Sequence, residues 1–129
     1  MSEKANTHKS RILCTEDDDD TRDLLRTLLK LHGFEVICAE DAEQAISLAK
    51  SSNFDLYLLD NWLPDVAGDL LCQKLREFDS TTPILFYSGA DSESEKAEAM
   101  AAGAQGYLVK PADPDELTSE ILRLILPKK

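Results

Sequence analysis

Residues 54–64 read FDLYLLDNWLP. The run FDLYLL at 54–59 is apolar almost throughout and ends on an acid, Asp60, before a loop containing Pro64. A strand with one wet face alternates in polarity. A nearly continuous apolar run fits a strand covered on both faces, as in a parallel sheet. Open parallel sheets bind ligands beyond the carboxyl ends of their strands, so the position of Asp60 is informative if other strands accompany this one.

They do. RILCT at 11–15, FEVIC at 34–38, PILFY at 83–87 and GYLVK at 106–110 have the same character. Segments of helical spacing separate them. Leu24, Leu25, Leu28 and Leu29 form an apolar stripe that stops near Gly33, a C′ candidate. Ala42, Ala45, Ile46 and Ala49 form a second, with Asp41 as N-cap and Gln44 at the capping-box position. Leu71, Leu75 and Phe78 make a third, and Ala97 to Ala102 a fourth that stops at Gly103. The last opens on Asp113-Pro114-Asp115-Glu116, an N-cap, a proline at N1 and a capping-box glutamate, and carries Leu117, Ile121, Leu124 and Ile125. The order is β-α repeated five times. Right-handed crossovers then place helices on both faces of a five-stranded parallel sheet.

The bulk properties agree with one domain. The chain has 129 residues, of which 43% are hydrophobic. A formal net charge of −11 argues against nucleic acid or an anionic membrane as a direct partner and leaves cations and basic protein surfaces. Residues 1–10, MSEKANTHKS, read as a flexible polar lead without the apolar core of a signal peptide. No apolar run approaches the roughly 20 residues that span a bilayer. Cys14, Cys38 and Cys72 are scattered and lack a C-x-x-C pair, which fits small core residues in a reducing cytoplasm. His8 in the lead and His32 near a helix end read as incidental.

The chemistry collects at the strand ends. Glu16 and Asp17 follow the first strand, Asp60 the third, Ser88 the fourth, and Lys110 ends the fifth. Two carboxylates ~4 Å apart repel by about 4 kcal/mol at an effective dielectric of ~20. Either some hold a proton or a cation sits among them. Oxygen ligands with room for water suit Mg2+ or Mn2+. Asp18, Asp19 and Asp20 have another explanation, because they open the first helix, where free N–H groups favour negative charge. A metal with an ammonium and a hydroxyl is a device for holding phosphoryl oxygens, and Asp60 can serve as the nucleophile.

This ordered set resembles the receiver domains of bacterial two-component response regulators, the CheY-like family. The resemblance runs from about Arg11 to Leu126. It rests on Glu16-Asp17, on FDLYLLDNWLP with Pro64 and Gly68 downstream, on Ser88 in YSGA, and on GYLVKP with Tyr107, Lys110 and Pro111. It implies a flavodoxin-like (βα)5 fold, a doubly wound sheet in the order 2-1-3-4-5, with the receiver domain at residues 11–127.

The resemblance also implies a phosphorelay role, in which Asp60 accepts a phosphoryl group from the phosphohistidine of a sensor histidine kinase or phosphotransfer protein. It implies Mg2+ held by Asp17, Asp60 and the backbone carbonyl of Trp62, with Glu16 acting directly or through water. Lys110 pairs with Asp60 and then with the phosphoryl group, which Ser88 and the Gly89 backbone also bind. Tyr107 is the switch aromatic that turns inward as Ser88 moves, and the Lys110–Pro111 bond is cis. Such a protein catalyses its own aspartyl phosphorylation and dephosphorylation without being a conventional enzyme. It presents helix 4, strand 5 and helix 5 to a downstream protein partner, and a phosphorylation-dependent dimer is among the implied assemblies.

Some positions depart from the family pattern. Glu16 is one methylene longer than the common aspartate, Gly89 stands where alanine is usual, and Ala67 stands where a polar residue often precedes Gly68. Trp62 is bulky, and the expectation is that it shields the acyl phosphate from water. Two readings compete most directly: a receiver-like adaptor that is never phosphorylated, and an aspartate-nucleophile phosphatase. A flavin-binding protein of the same topology would need a Ser/Thr/Gly-rich phosphate loop where this chain has EDDDD. No output domain is visible, which leaves a single-domain protein or a receiver taken from a longer regulator.

Overall fold

The computed structural model describes residues 9–126. Residues 1–8 of the polar lead, with His8, and the expected domain end at residue 127 lie outside the described residues. The elements run β1 (Arg11–Thr15), α1 (Asp19–Leu31), β2 (Glu35–Ala39), α2 (Ala42–Ser51), β3 (Leu56–Leu59), α3 (Gly68–Arg76), β4 (Ile84–Ser88), α4 (Glu93–Ala102), β5 (Gly106–Val109) and α5 (Pro114–Ile125). All strand pairs are parallel, and the sheet order is β2-β1-β3-β4-β5. The expected doubly wound five-stranded fold is therefore observed.

Each face of the sheet has its own core. Leu13, Tyr57, Leu59, Ile84 and Phe86 pack with buried residues of α2, α3 and α4. Ile12, Cys14, Leu56, Leu58 and Leu85 pack with Leu25 and Leu29 of α1 and Leu117 and Ile121 of α5. A fully buried leucine of this kind contributes about 1.5–3 kcal/mol. This two-sided cover is why the strands lack alternation.

Several local expectations need correction. Leu24 belongs to the α1 stripe by spacing but is 66% exposed, and Phe78 is also exposed. Four adjacent leucines span more of the helix than one sheet can cover. Phe78 instead lies beside the Lys50 ammonium. Gln44 does not reach its N-cap residue: its Oε1 accepts the amide of Glu40 at 2.7 Å, while Asp41 accepts the Gln44 amide at 2.8 Å. Asp113 accepts the Asp115 amide, one position earlier than a capping box requires. The complete capping box lies at α4 instead, between Ser92 and Glu95. It supports a helix that buries only small side chains, Ala99 and Ala102. Cys38 is half-buried, unlike Cys14 and Cys72, because β2 is an edge strand. His32 caps α1, its ring Nδ1 3.0 Å from the Leu28 carbonyl oxygen.

Candidate functional site

Strand register assembles the site. Thr15 lies opposite Leu59, so the next residues of β1 and β3, Glu16 and Asp60, emerge side by side. The backbone bonds continue past both strand ends, Asp60 N to Thr15 O at 3.2 Å and Glu16 N to Ala39 O at 3.0 Å. The chain leaves β1 for β2 on one side and returns with β3 on the other, so this pair lies at the topological switch point. Ser88 pairs with Val109, which brings Lys110 to the same rim, its amide 2.8 Å from the Ser88 carbonyl.

Glu16, Asp17 and Asp60 each offer an oxygen, and these atoms all lie within 4.8 Å of one another. Glu16 and Asp60 are 2% and 5% exposed, whereas Asp17 is exposed. Lys110 Nζ contacts both buried acids, Glu16 Oε1 at 2.6 Å and Asp60 Oδ2 at 3.3 Å. The shorter contact is to Glu16, whose extra methylene carries its carboxylate to the ammonium. Burial raises the Glu16 pKa and the Asp60 charge adds to this, while the Lys110 hydrogen bond opposes it. For Lys110, burial disfavours the ammonium, but the Glu16 hydrogen bond and the two acidic charges outweigh it and raise the pKa. One cation for three acids leaves net negative charge, and an all-oxygen donor set with one exposed member suits a hydrated Mg2+.

The run EDDDD divides as its chemistry requires. Asp18 caps α1, its carboxylate accepting the Thr21 amide at 2.9 Å and the Thr21 hydroxyl at 2.7 Å. These bonds hold its pKa below the ordinary carboxylate range. Glu16 Oε2 accepts the Asp18 amide at 3.1 Å, which fixes the turn between the strand and the helix. Sequence reasoning missed Arg22. Its buried guanidinium donates to the carbonyls of Glu16 at 2.9 Å and Asp17 at 3.3 Å and also pairs with Asp19. The Asp19–Arg22 spacing on the helix was the available signal.

The β3–α3 loop carries Trp62, whose amide donates to Asp60 Oδ1 at 3.4 Å and whose backbone bridges Ala67. Gly68 closes this loop with its amide 2.8 Å from the Asn61 carbonyl. A β-carbon there would lie 2.4 Å from the Asp60 carbonyl oxygen and 2.9 Å from the Phe86 ring. No side chain fits, which explains a glycine eight residues after the acid. The Trp62 indole is 59% exposed and stands over Gly89.

Ser88 is fully buried, and its hydroxyl accepts the Ala90 amide at 3.2 Å. Tyr107 is half-buried, stacked on Phe86 at 5.6 Å between ring centroids. Its hydroxyl donates to the Ala90 carbonyl at 2.6 Å. The phenol also neighbours Ser88 and Asn61; burial raises its pKa, and these two polar neighbours oppose the rise. The loop after Ser88 is thus tied to Tyr107 directly. Tyr87, not anticipated, lies beneath the Lys110 ammonium at 5.8 Å and accepts the Ala112 amide through its hydroxyl. The Lys110–Pro111 peptide is cis.

The sequence model of the response regulator receiver domain matches residues 12–122. The chain belongs to this family. It is a CheY-like receiver domain of the two-component response regulators. YrkP, a transcriptional regulatory protein of Bacillus subtilis, is 38% identical over 112 residues, covering 87% of this chain and 48% of YrkP. The cell cycle transcriptional regulator CtrA of Caulobacter vibrioides is 36% identical, covering 86% of this chain and 48% of CtrA. This receiver domain therefore spans about half the length of the curated relatives it matches.

Among solved structures, a CheY-like receiver domain protein from Methanospirillum hungatei superposes with a TM-score of 0.86 at 28% identity, covering 90% of this chain and 93% of that one. The receiver domain of the sensor histidine kinase PA1611 from Pseudomonas aeruginosa gives a TM-score of 0.85 at 25% identity, covering 92% and 98%; it has magnesium coordinated in its active-site cleft. Among the described residues, no helix is long and apolar enough to cross a membrane.

Proposed function

We propose that residues 11–127 form a phosphoacceptor receiver in which Asp60 takes a phosphoryl group from a phosphohistidine. The observation that carries this is the cluster of Glu16, Asp17 and Asp60 with Lys110 bound between two of them. One Asp60 oxygen forms the O–P bond as the N–P bond to the donor imidazole breaks. The electron pair leaves with the imidazole nitrogen, which takes up a proton. Asp17, Asp60, the Trp62 carbonyl and Glu16, directly or through water, would hold Mg2+, which would supply positive charge to offset that of the acids and the incoming phosphoryl group.

Lys110 follows its Asp60 partner to the phosphoryl group, and the Ser88 hydroxyl and Gly89 amide supply further donors. Ser88 then exchanges its Ala90 contact for the phosphoryl oxygen. Because Tyr107 is bonded to the Ala90 carbonyl, that exchange shifts the balance between two arrangements of α4, β5 and α5, the surface a partner reads. The expectation of no nucleic-acid contact applies to this acidic segment alone, since the relatives named transcriptional regulators extend well beyond it. The readings of a cytoplasmic setting, a cognate kinase and a phosphorylation-dependent dimer stand with this proposal.

The test is incubation with Mg2+ and acetyl phosphate followed by intact mass. A phosphoryl-sized gain that disappears in Asp60→Asn is expected. No gain at any donor concentration moves the protein to the adaptor reading, and steady turnover of a small phosphate ester moves it to the phosphatase reading.

A further inference from the structure

Cys14 and Cys38 are directly paired in the β1–β2 ladder. Parallel neighbours lie roughly 4.8 Å apart, inside the Cα range that a disulfide bridges. Paired residues of parallel strands point to the same face, and both cysteines pack into the core beneath α1. They differ in access: Cys14 is 1% exposed, whereas Cys38 on the edge strand is half-buried. We propose that Cys14 and Cys38 form a peroxide-responsive thiol pair, in which Cys38 is oxidised first and Cys14 resolves it as an intramolecular disulfide.

The surroundings of Cys38 favour its thiolate. The neighbouring Cys14 thiol and the guanidinium groups of Arg26 and Arg22 on α1 act on it in that direction. Those arginines also meet Asp23, Asp19 and Glu40, so the local field is shared rather than purely cationic. The balance still holds the Cys38 pKa below the ordinary thiol range. Cys72 is the internal control: it is fully buried on the other face, with a pKa pushed up to about 11 by burial. Low-pKa, accessible thiols beside a resolving cysteine are the ones that peroxides oxidise.

The Cys38 thiolate attacks one peroxide oxygen and the O–O bond breaks. This leaves a sulfenic acid and a hydroxide that takes up a proton to become water. The Cys14 sulfur then attacks the sulfenic sulfur. The S–S bond forms, the S–OH bond breaks, and the departing hydroxide carries off the Cys14 proton as water. Two electrons pass from the thiols to the peroxide, and a dithiol reductant reverses the change. The next ladder bond, Glu16 N to Ala39 O, sits immediately above this pair, beneath the acidic rim.

The experiment uses the full chain without metal or phosphodonor, so it is independent of the phosphoacceptor reading. The protein is treated with hydrogen peroxide, alkylated after denaturation, and mapped by peptide mass. A Cys14–Cys38 crosslink with Cys72 alkylated is expected. Cys14→Ser should stop at a dimedone-reactive sulfenic acid on Cys38. Cys38→Ser should leave Cys14 reduced. Wild-type protein whose Cys38 remains fully alkylatable, under peroxide that oxidises a free cysteine peptide, overturns the proposal. So does wild-type protein that accumulates dimedone-labelled Cys38 without a crosslink.

Discussion

The Trp62 indole rests against Gly89: a β-carbon at residue 89 would lie 3.3 Å from its Cζ3. The two residues come from different loops and accommodate each other. An aromatic of this size stands at the site mouth partly because the opposing residue has no side chain. In the phosphoacceptor reading, the indole limits water access to the acyl phosphate. Trp62→Asn should speed loss of the phosphoryl mass several-fold, and Gly89→Ala should also change the rate by displacing the ring. Decay curves that superimpose for wild type and Trp62→Asn would remove the shielding role.

Gly68 tolerates no substitution for a steric reason. The clash at 2.4 Å with the Asp60 carbonyl is with backbone, which cannot swing aside as a side-chain tip can. Gly68→Ala should destabilise the fold by about 1–3 kcal/mol, the usual range for overpacking. Urea denaturation measures this, and a midpoint equal to wild type contradicts the contact.

The cluster of Glu16, Asp17 and Asp60 should make stability depend on divalent cation. Binding to the folded state alone, at about 100 times Kd, adds ~2.7 kcal/mol. Thermal melting in Mg2+ should therefore exceed melting in EDTA, with the gain reduced in Asp17→Asn and in Asp60→Asn. A gain in both variants equal to that of wild type places the ion elsewhere.

Asp79 anchors the opposite end of the sheet. Its carboxylate accepts the Tyr57 hydroxyl at 2.7 Å, the Thr82 hydroxyl at 2.7 Å and the amides of Thr81 and Thr82. Partial burial acts to raise its pKa, but these bonds prevail and lower it to about 2. A folded-state pKa below the unfolded value gives stability that is present above about pH 4 and lost as pH falls through about 2. After allowance for solvent screening, Asp79→Asn should cost about 1 kcal/mol at pH 7, with the gap from wild type closing as pH falls toward 2. A gap that is constant across this range argues against the charge as its source.

Much of the site was legible because its residues stand at strand ends. Asp60 after FDLYLL, Ser88 after PILFY and Lys110 in GYLVK are one-dimensional facts, and the sheet register turns them into a rim. Arg22 was missed because its role is to donate to carbonyls of Glu16 and Asp17, and backbone acceptors leave no mark in a sequence. Arg76 was missed for the same reason: it donates to the carbonyls of Gly103, Asp79 and Thr82 at the far end of the sheet. The exposure of Leu24 could not be read either, since helical spacing does not say how wide a stripe the sheet will cover.

The order of elements, the two-sided burial of the strands and the identity of the acidic rim were determined by the sequence alone. Apolar periodicity, caps and strand-end residues act within a few positions of one another, so a local reading suffices for them. Tertiary structure alone decided which acid Lys110 approaches more closely, that Trp62 meets Gly89, and that Cys14 meets Cys38. These contacts depend on distances of a few ångströms between segments far apart in the chain, and those distances are set by strand register and loop packing.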